Sequence, residues 1–241
     1  MSLNLIFDLD DTLYDLAEPF CRTHRELFSS ILGDDCTELF RLSRVYSDEI
    51  LELEKQGKIP SQDTFYQHIQ KTYASVGCSV DRAMADLFEE KYRYYQDHIS
   101  VPEGIGTMLD ACKADGHSIS ILTNGKVKGQ IGKVKALDMY RWFSTDRIFI
   151  SEVTGFIKPD IEVFRYAEEQ LQLQPQDIWY VGDTYEADVL GAKRAGWNVI
   201  WYNHRNHQIP LEENKADHTV FTAEQMLDVI RKIHNRLQSD R

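Results

Sequence analysis

Short apolar runs alternate along most of this chain with segments whose apolar residues recur at helical spacing. Leu5-Ile6-Phe7 ends at Asp8, Ser118 to Thr123 reads SISILT, and Arg147 to Ser151 reads RIFIS. Asp177 to Asp183 reads DIWYVGD, and Trp197 to Tyr202 reads WNVIWY. Runs of that length, rich in β-branched and aromatic residues, predict strands buried on both faces. Between them, Gly104 to Ala114, Lys126 to Ala136, Ile161 to Leu171 and Glu186 to Ala195 carry the pattern of helices packed by one face. The alternation predicts an α/β fold, a doubly wound parallel sheet with helices on both sides.

Residues 17 to 99 break that alternation. They hold long polar helical patterns, such as Phe40 to Lys55 and Met84 to His98, and no convincing buried strand. An inserted all-helical cap domain is expected at 17–99, a candidate lid over the carboxyl end of the first strand, with a core domain formed by 1–16 and 100–241. Within the insertion, Arg22, His24, Tyr46, Tyr66 and His68 read as solvated or helix-packing residues and none is assigned to specificity. Tyr92, Tyr94 and Tyr95 read as core or hinge packing. The tail from Asn203 offers a polar loop, a short strand from His218 to Phe221 and an amphipathic helix from Ala223 to about Leu237. His204 and His207 have the i, i+3 spacing of zinc ligands but no cysteine or acid beside them in sequence, which favours a surface loop.

Composition narrows the class. With 241 residues, 42% of them hydrophobic and 27% charged, the chain can bury a sizeable core. A formal charge of −12 argues against a nucleic-acid polymer as partner, because such binding draws on a basic surface. Cys21, Cys36, Cys78 and Cys112 are scattered without a CxxC pair, and free thiols in a reducing compartment are expected. No apolar run approaches the roughly 18 residues of a membrane span, and the first strand begins by residue 4. A cytoplasmic protein with no membrane partner is the expectation.

The ends of the predicted strands carry the chemistry. Asp8-Leu9-Asp10 sets two carboxylates two residues apart, which alternation would aim the same way if the strand continued. Like charges so close are costly unless a cation or a shared proton offsets them, and alone the pair reads more readily as a turn or helix cap than as a catalytic site. SISILT stops at Thr123-Asn124-Gly125, a hydroxyl followed by a turn whose amides could bind an oxyanion, or simply a cap. Lys158-Pro159-Asp160 follows Gly155, with the proline fixing the backbone and starting a helix. DIWYVGD ends in Gly182-Asp183, with Asp188 five residues later, where acids also suit a helix N-terminus. Four strand ends or adjoining loops thus supply an acid pair, a hydroxyl, a lysine and a second acid pair. In a doubly wound sheet the ligand crevice lies outside those ends.

These motifs resemble the haloacid dehalogenase superfamily, matching Asp8-Leu9-Asp10-Asp11-Thr12-Leu13, Thr123-Asn124-Gly125, Lys158-Pro159 and Gly182-Asp183-Thr184-Tyr185-Glu186-Ala187-Asp188 over residues 4 to about 202. The resemblance implies a magnesium-dependent phosphatase in which Asp8 attacks phosphorus and Asp10 protonates the leaving alcohol, then activates water. It implies Mg2+ held by Asp8, the backbone carbonyl of Asp10 and Asp183, with Asp188 behind them on a metal-bound water or Lys158. Lys158 would neutralise phosphate and nucleophile, while Thr123 and the amides of Asn124 and Gly125 hold the transferring oxygens. Asp10 separates this pattern from the carbon–halogen hydrolases of the superfamily, which lack an aspartate there. The implied partner is a small phosphorylated metabolite. The nucleotidase-like branch is favoured, with sugar-phosphate phosphatases of the acylneuraminate type and a phosphomutase as same-fold alternatives, and a non-catalytic binding protein as the reading from another class. Oligomeric state stays open.

Overall fold

The computed structural model describes residues 2–208 and 215–239; the outermost ends of the expected core domain, and residues 209–214 of the tail loop, lie outside them. The chain runs β1 (Asn4–Phe7), α1 (Ala17–Leu32), α2 (Thr37–Lys55), α3 (Thr64–Ala74), α4 (Arg82–Gln96), α5 (Glu103–Ala114), β2 (Ser118–Thr123) and α6 (Val127–Ala136). It continues with β3 (Ile148–Ile150), α7 (Ser151–Thr154), α8 (Ile161–Leu171), β4 (Ile178–Gly182), α9 (Gly191–Arg194), β5 (Asn198–Tyr202), β6 (His218–Val220) and α10 (Ala223–Ser239). Two compact units result, one of residues 1–15 with 100–241 and the other of residues 16–99.

The first unit is the α/β body. Its six strands lie in the order β3-β2-β1-β4-β5-β6, all parallel. β1 is central, with Phe7 in register with Ile121 of β2 on one side and Val181 of β4 on the other. The apolar runs form strands because both sheet faces are covered. Ile6, Leu122, Tyr180 and Val199 join Phe164 of α8 and Trp197 in one buried cluster. Trp197 is fully buried, and its indole N–H donates to Glu168 Oε1 at 2.6 Å, so the one polar atom of that ring is satisfied.

Two elements differ in form from the sequence reading. The helix expected over Glu186 to Ala195 begins as a π-helical turn at Tyr185–Leu190 and becomes α-helical only at α9. Asp188 turns its carboxylate back to the amide of Thr184 at 2.9 Å, which draws this turn inward. The expected surface loop at His204 instead faces an acid, with Nε2 3.5 Å from Asp11 Oδ2. Parallel strands bring all their carboxyl ends to one edge, so the loop after β5 meets the loop after β1 despite a separation of nearly the whole chain.

The second unit is all helical, α1 to α4, around an aromatic core. Phe88 is fully buried, with ring centroids of Phe20, Tyr73, Phe28 and Tyr92 at 5.4, 5.8, 6.3 and 6.4 Å. His24 is buried between the Tyr73 hydroxyl at 3.0 Å and the Gly33 carbonyl at 2.9 Å, and His68 Nε2 lies 2.9 Å from the Ser43 carbonyl. Arg22 stacks over Tyr95, Lys71 over Tyr46 and Arg82 over Tyr66. Tyr94 corrects the packing expectation: it is 54% exposed and stacks on His98. The expectation of four free thiols is also corrected, since Cys21 and Cys36 form a disulfide with Cα atoms 5.6 Å apart, while Cys78 and Cys112 are free. The chain turns between α1 and α2 and so returns position 36 to the side of position 21, a proximity that spacing along the sequence does not reveal. That pair therefore carries no free thiol that would point to a reducing compartment. Among the described residues no helix is long and apolar enough to cross a membrane.

Because Phe88 fills the centre of this small core, Phe88→Ala is expected to destabilise the helical unit by about 3–5 kcal/mol. Denaturant unfolding followed by tryptophan-independent circular dichroism checks this; a loss below about 1 kcal/mol would contradict the packing described.

Candidate active site

β1 ends at Phe7, and the next amide, Asp8 N–H, still donates to the Val181 carbonyl at 2.8 Å. The sheet therefore fixes the backbone of Asp8 itself. After it the chain turns tightly, with Leu13 N–H bonded to the Leu9 carbonyl at 3.0 Å and both leucines fully buried as anchors. Asp11 takes the left-handed conformation at φ 60°, which aspartate tolerates better than most residues. Its carboxylate receives a bidentate grip from Arg205, Nε to Oδ2 at 2.7 Å and Nη2 to Oδ1 at 2.6 Å. Arg205 also reaches Asp15 Oδ1 at 2.6 Å, so the loop after β5 clamps the turn that carries the acid pair. Burial opposes the charge on Asp11, but His204 and Arg205 beside it hold its carboxyl well below the usual range.

Lys158 is the centre of the site. It is 5% exposed, and its three ammonium hydrogens meet three acceptors: Asp8 Oδ1 at 2.7 Å, Asp188 Oδ1 at 2.7 Å and the Tyr180 hydroxyl at 2.8 Å. The Tyr180 hydroxyl in turn donates a hydrogen bond to the Leu122 carbonyl at 3.0 Å. Burial disfavours a charged lysine, yet Asp188 and Asp8 hold the ammonium well above its ordinary pKa. The loop bearing Lys158 is fixed by Asn124, whose Oδ1 accepts from Lys158 N–H at 2.8 Å and whose Nδ2 donates to the Lys158 carbonyl at 3.0 Å. Gly125 N–H donates to Ser151 Oγ at 2.9 Å. The Asn124 side chain thus ties two loops together, and the Gly125 amide, read from sequence as a phosphate holder, is bonded here to Ser151.

Asp183 and Asp188 come from the end of β4 and the π-helical turn. Gly182 makes their approach possible, because a Cβ there would lie 2.5 Å from the Asp188 carboxylate. Trp201 Nε1 anchors the Asp183 carbonyl at 2.8 Å, and Thr12 Oγ1 lies 3.5 Å from Asp183 Oδ1. Among the described residues, Asp8, Asp183 and Asp188 are the one group of three whose carboxylate oxygens all lie within 4.8 Å of one another. Burial pushes the Asp8 carboxyl up to about 7 in spite of Lys158, with Asp188 and Asp10 adding repulsion. Burial, then Asp188 and Asp8, push Asp183 well above its usual value. Clustered hard oxygen donors with an excess of negative charge fit a cation such as Mg2+.

Asp10 points elsewhere. Its two oxygens receive Lys133 Nζ at 2.6 and 2.8 Å, Oδ2 receives Gln130 Nε2 at 3.0 Å, and Oδ1 accepts from the Tyr14 hydroxyl. Burial opposes its charge, but Lys133 and these hydrogen bonds lower its pKa below the ordinary value. Thr123 ends β2, and its Oγ1 accepts from Gln130 at 2.6 Å.

The model of the haloacid dehalogenase-like hydrolase family matches residues 5–202, a span that includes every one of these groups except Arg205 and His204. The chain belongs to that family. It is 24% identical over 233 residues to the glyceraldehyde 3-phosphate phosphatase of Pyrococcus furiosus, covering 95% of this chain and 92% of the relative. It is 23% identical to the pyrimidine 5′-nucleotidase PynA of Streptococcus pneumoniae, covering 95% and 94%. Its fold matches that of the HAD-hydrolase YfnB of Bacillus subtilis, a magnesium-bound crystal structure, with a TM-score of 0.70, 22% identity and coverage of 95% and 98%.

Within this haloacid dehalogenase-like site, the sequence reading missed Gln130, Lys133, Tyr14, Tyr180 and Arg205. The first two stand at i, i+3 on one helix, a spacing that places two polar side chains on the face otherwise expected to be apolar. That was the available signal. The Asp8 carboxyl also yields a pH test. It keeps its proton to about 7 when folded but releases it near 3.8 when unfolded, so its contribution to stability is present at low pH and is lost as the pH rises through 7. Asn at position 8 has no such titration. In metal-free buffer the stability of Asp8→Asn relative to the parent is expected to improve from pH 5 to pH 8, measured by thermal unfolding. A difference independent of pH would contradict the assignment.

Proposed function

We propose that this phosphoric monoester hydrolase is magnesium-dependent, forms an aspartyl phosphate on Asp8 and acts on a small soluble phosphate monoester. The observation that carries the reading is the Lys158 ammonium held 2.7 Å from Asp8, with a second acid, Asp10, two residues on. A buried cation beside the nucleophile can also neutralise the incoming phosphoryl oxygens. Asp8 attacks phosphorus as the bond to the leaving oxygen breaks, and Asp10 gives that oxygen a proton. Water then attacks phosphorus, Asp10 takes its proton, and the Asp8 carboxylate is released. The Lys133 pair holds Asp10 ionised at rest, so the proton for the first step enters with the monoanionic form of the monoester. Having donated it, Asp10 is again the carboxylate the second step requires, and the proton it takes from water leaves with the phosphate product.

Asp8, Asp183 and the main chain at Asp10 would hold Mg2+. Asp188, with Oδ1 on Lys158 and Oδ2 on the Thr184 amide, supports them from behind. When bound, the ion offsets the carboxylate charge and polarises the phosphoryl group. Residues 17–99 take the role of a helical cap on their all-helical make-up and their insertion after β1. The presence of Asp10 favours phosphate over halide chemistry, since an alkoxide needs a proton to leave and a halide does not. A nucleoside 5′-monophosphate is the first substrate class, in line with the nucleotidase relative, and the glyceraldehyde 3-phosphate phosphatase relative brings triose phosphates into the same screen.

The test is release of inorganic phosphate from a panel of nucleotides and sugar phosphates with MgCl2. Turnover is expected to vanish with EDTA and in Asp8→Asn, and Thr123→Ala is expected to lower kcat by about 10²–10³. No phosphate release from any monoester, or an Asp8→Asn variant as active as the parent, would overturn the reading. A phosphoryl group retained on the product would instead indicate a mutase.

A further inference from the structure

Gln130 sits on the first turn of α6, 2% exposed, with its amide nitrogen against three acceptors. Thr123 Oγ1 lies at 2.6 Å, Asp10 Oδ2 at 3.0 Å and the Asn124 carbonyl at 3.0 Å. A carbonyl and an ionised carboxylate cannot donate, so the nitrogen rather than the oxygen of the amide must face them. We propose that Gln130 is a positioning residue for phosphoryl transfer, one that sets the direction of both Asp10 and Thr123. The inference rests on the acid–base reading of Asp10 given above.

Two consequences of the geometry carry it. By accepting from Gln130, the Thr123 hydroxyl keeps its own proton available for another acceptor, and a phosphate oxygen outside the end of β2 is the one the reaction brings. On Asp10, Gln130 takes Oδ2 while Tyr14 takes Oδ1, and these two directional bonds together fix the plane of the carboxylate. Lys133 touches both oxygens as a compact charge and holds the group without setting that plane. Gly125 is part of the same device: its φ is 149°, and a Cβ there would lie 3.0 Å from Gln130 Cγ and Cδ, so glycine leaves the space the amide occupies.

The two effects separate with leaving group. A nitrophenolate departs without a proton, whereas an alkoxide needs one from a well-aimed acid. The experiment compares kcat/KM of the parent and Gln130→Met, with MgCl2, for 4-nitrophenyl phosphate and for the alkyl monoester the enzyme turns over best. Methionine keeps the volume and removes the donor. Both values are expected to fall through Thr123, and the alkyl value about tenfold or more further through Asp10. The ratio of the two values on one preparation is independent of the folded fraction, so a merely structural defect leaves it unchanged. An unchanged ratio, with the rates either both lowered or both intact, overturns the inference. Asp10→Asn is run beside it: if that ratio also stays at the parent value, the acid–base reading itself fails, and if only the Gln130→Met ratio stays, the positioning role alone fails.

Discussion

Burying the Lys158 ammonium is the constraint on which the site depends. A desolvated charge without partners costs several kcal/mol, and here the three N–H groups are met by Asp8, Asp188 and Tyr180. Each partner then imposes a condition of its own. Asp188 can reach only because residue 182 is glycine, Tyr180 needs the Leu122 carbonyl for its proton, and the lysine backbone needs the two-point hold of Asn124. The lysine answers only part of the negative charge gathered there. Asp183 still faces Asp8 and Asp188, which is why its carboxyl and that of Asp8 rise and why a divalent cation suits the group.

Sheet topology explains how such distant residues meet. β1 lies between β2 and β4, so Thr123 at the end of β2 and the loops bearing Asp10 and Asp183 leave the sheet side by side at the point where the strand order reverses. The loops on either flank complete the arrangement, Lys158 arriving after β3 and α7, and Arg205 after β5. Arg205 does no chemistry in this scheme. Its bonds to Asp11 and Asp15 stiffen the turn that aims the acid pair, while Gln130 and Lys133 hold the second acid of that pair from the opposite flank.

The sheet and the strand-end residues were legible because buried parallel strands leave an unbroken apolar run, and the polar residue that stops such a run is conspicuous. Asp8, Thr123 and Asp183 all announced themselves in that way. Tyr180 did not, since a tyrosine inside an apolar run reads as packing until its hydroxyl is seen beside Lys158. Gln130 and Lys133 were absorbed into an amphipathic helix pattern that counts apolar positions and ignores where polar ones point. His204 and Arg205 were assigned to a surface loop because their acid partners lie at the other end of the sequence, and the Cys21–Cys36 pairing depends on a helix turn whose closure no spacing rule gives. In each case the missing information was a long-range contact rather than a local propensity.

The central claim is that Asp8 becomes phosphorylated during turnover. Acid quenching of the enzyme during steady-state hydrolysis, followed by peptide mass spectrometry, tests it directly. The account predicts a labile phosphoryl group on the peptide containing Asp8, absent without Mg2+ and absent in Asp8→Asn. Full turnover with phosphate found on no residue, or on one other than Asp8, would contradict it.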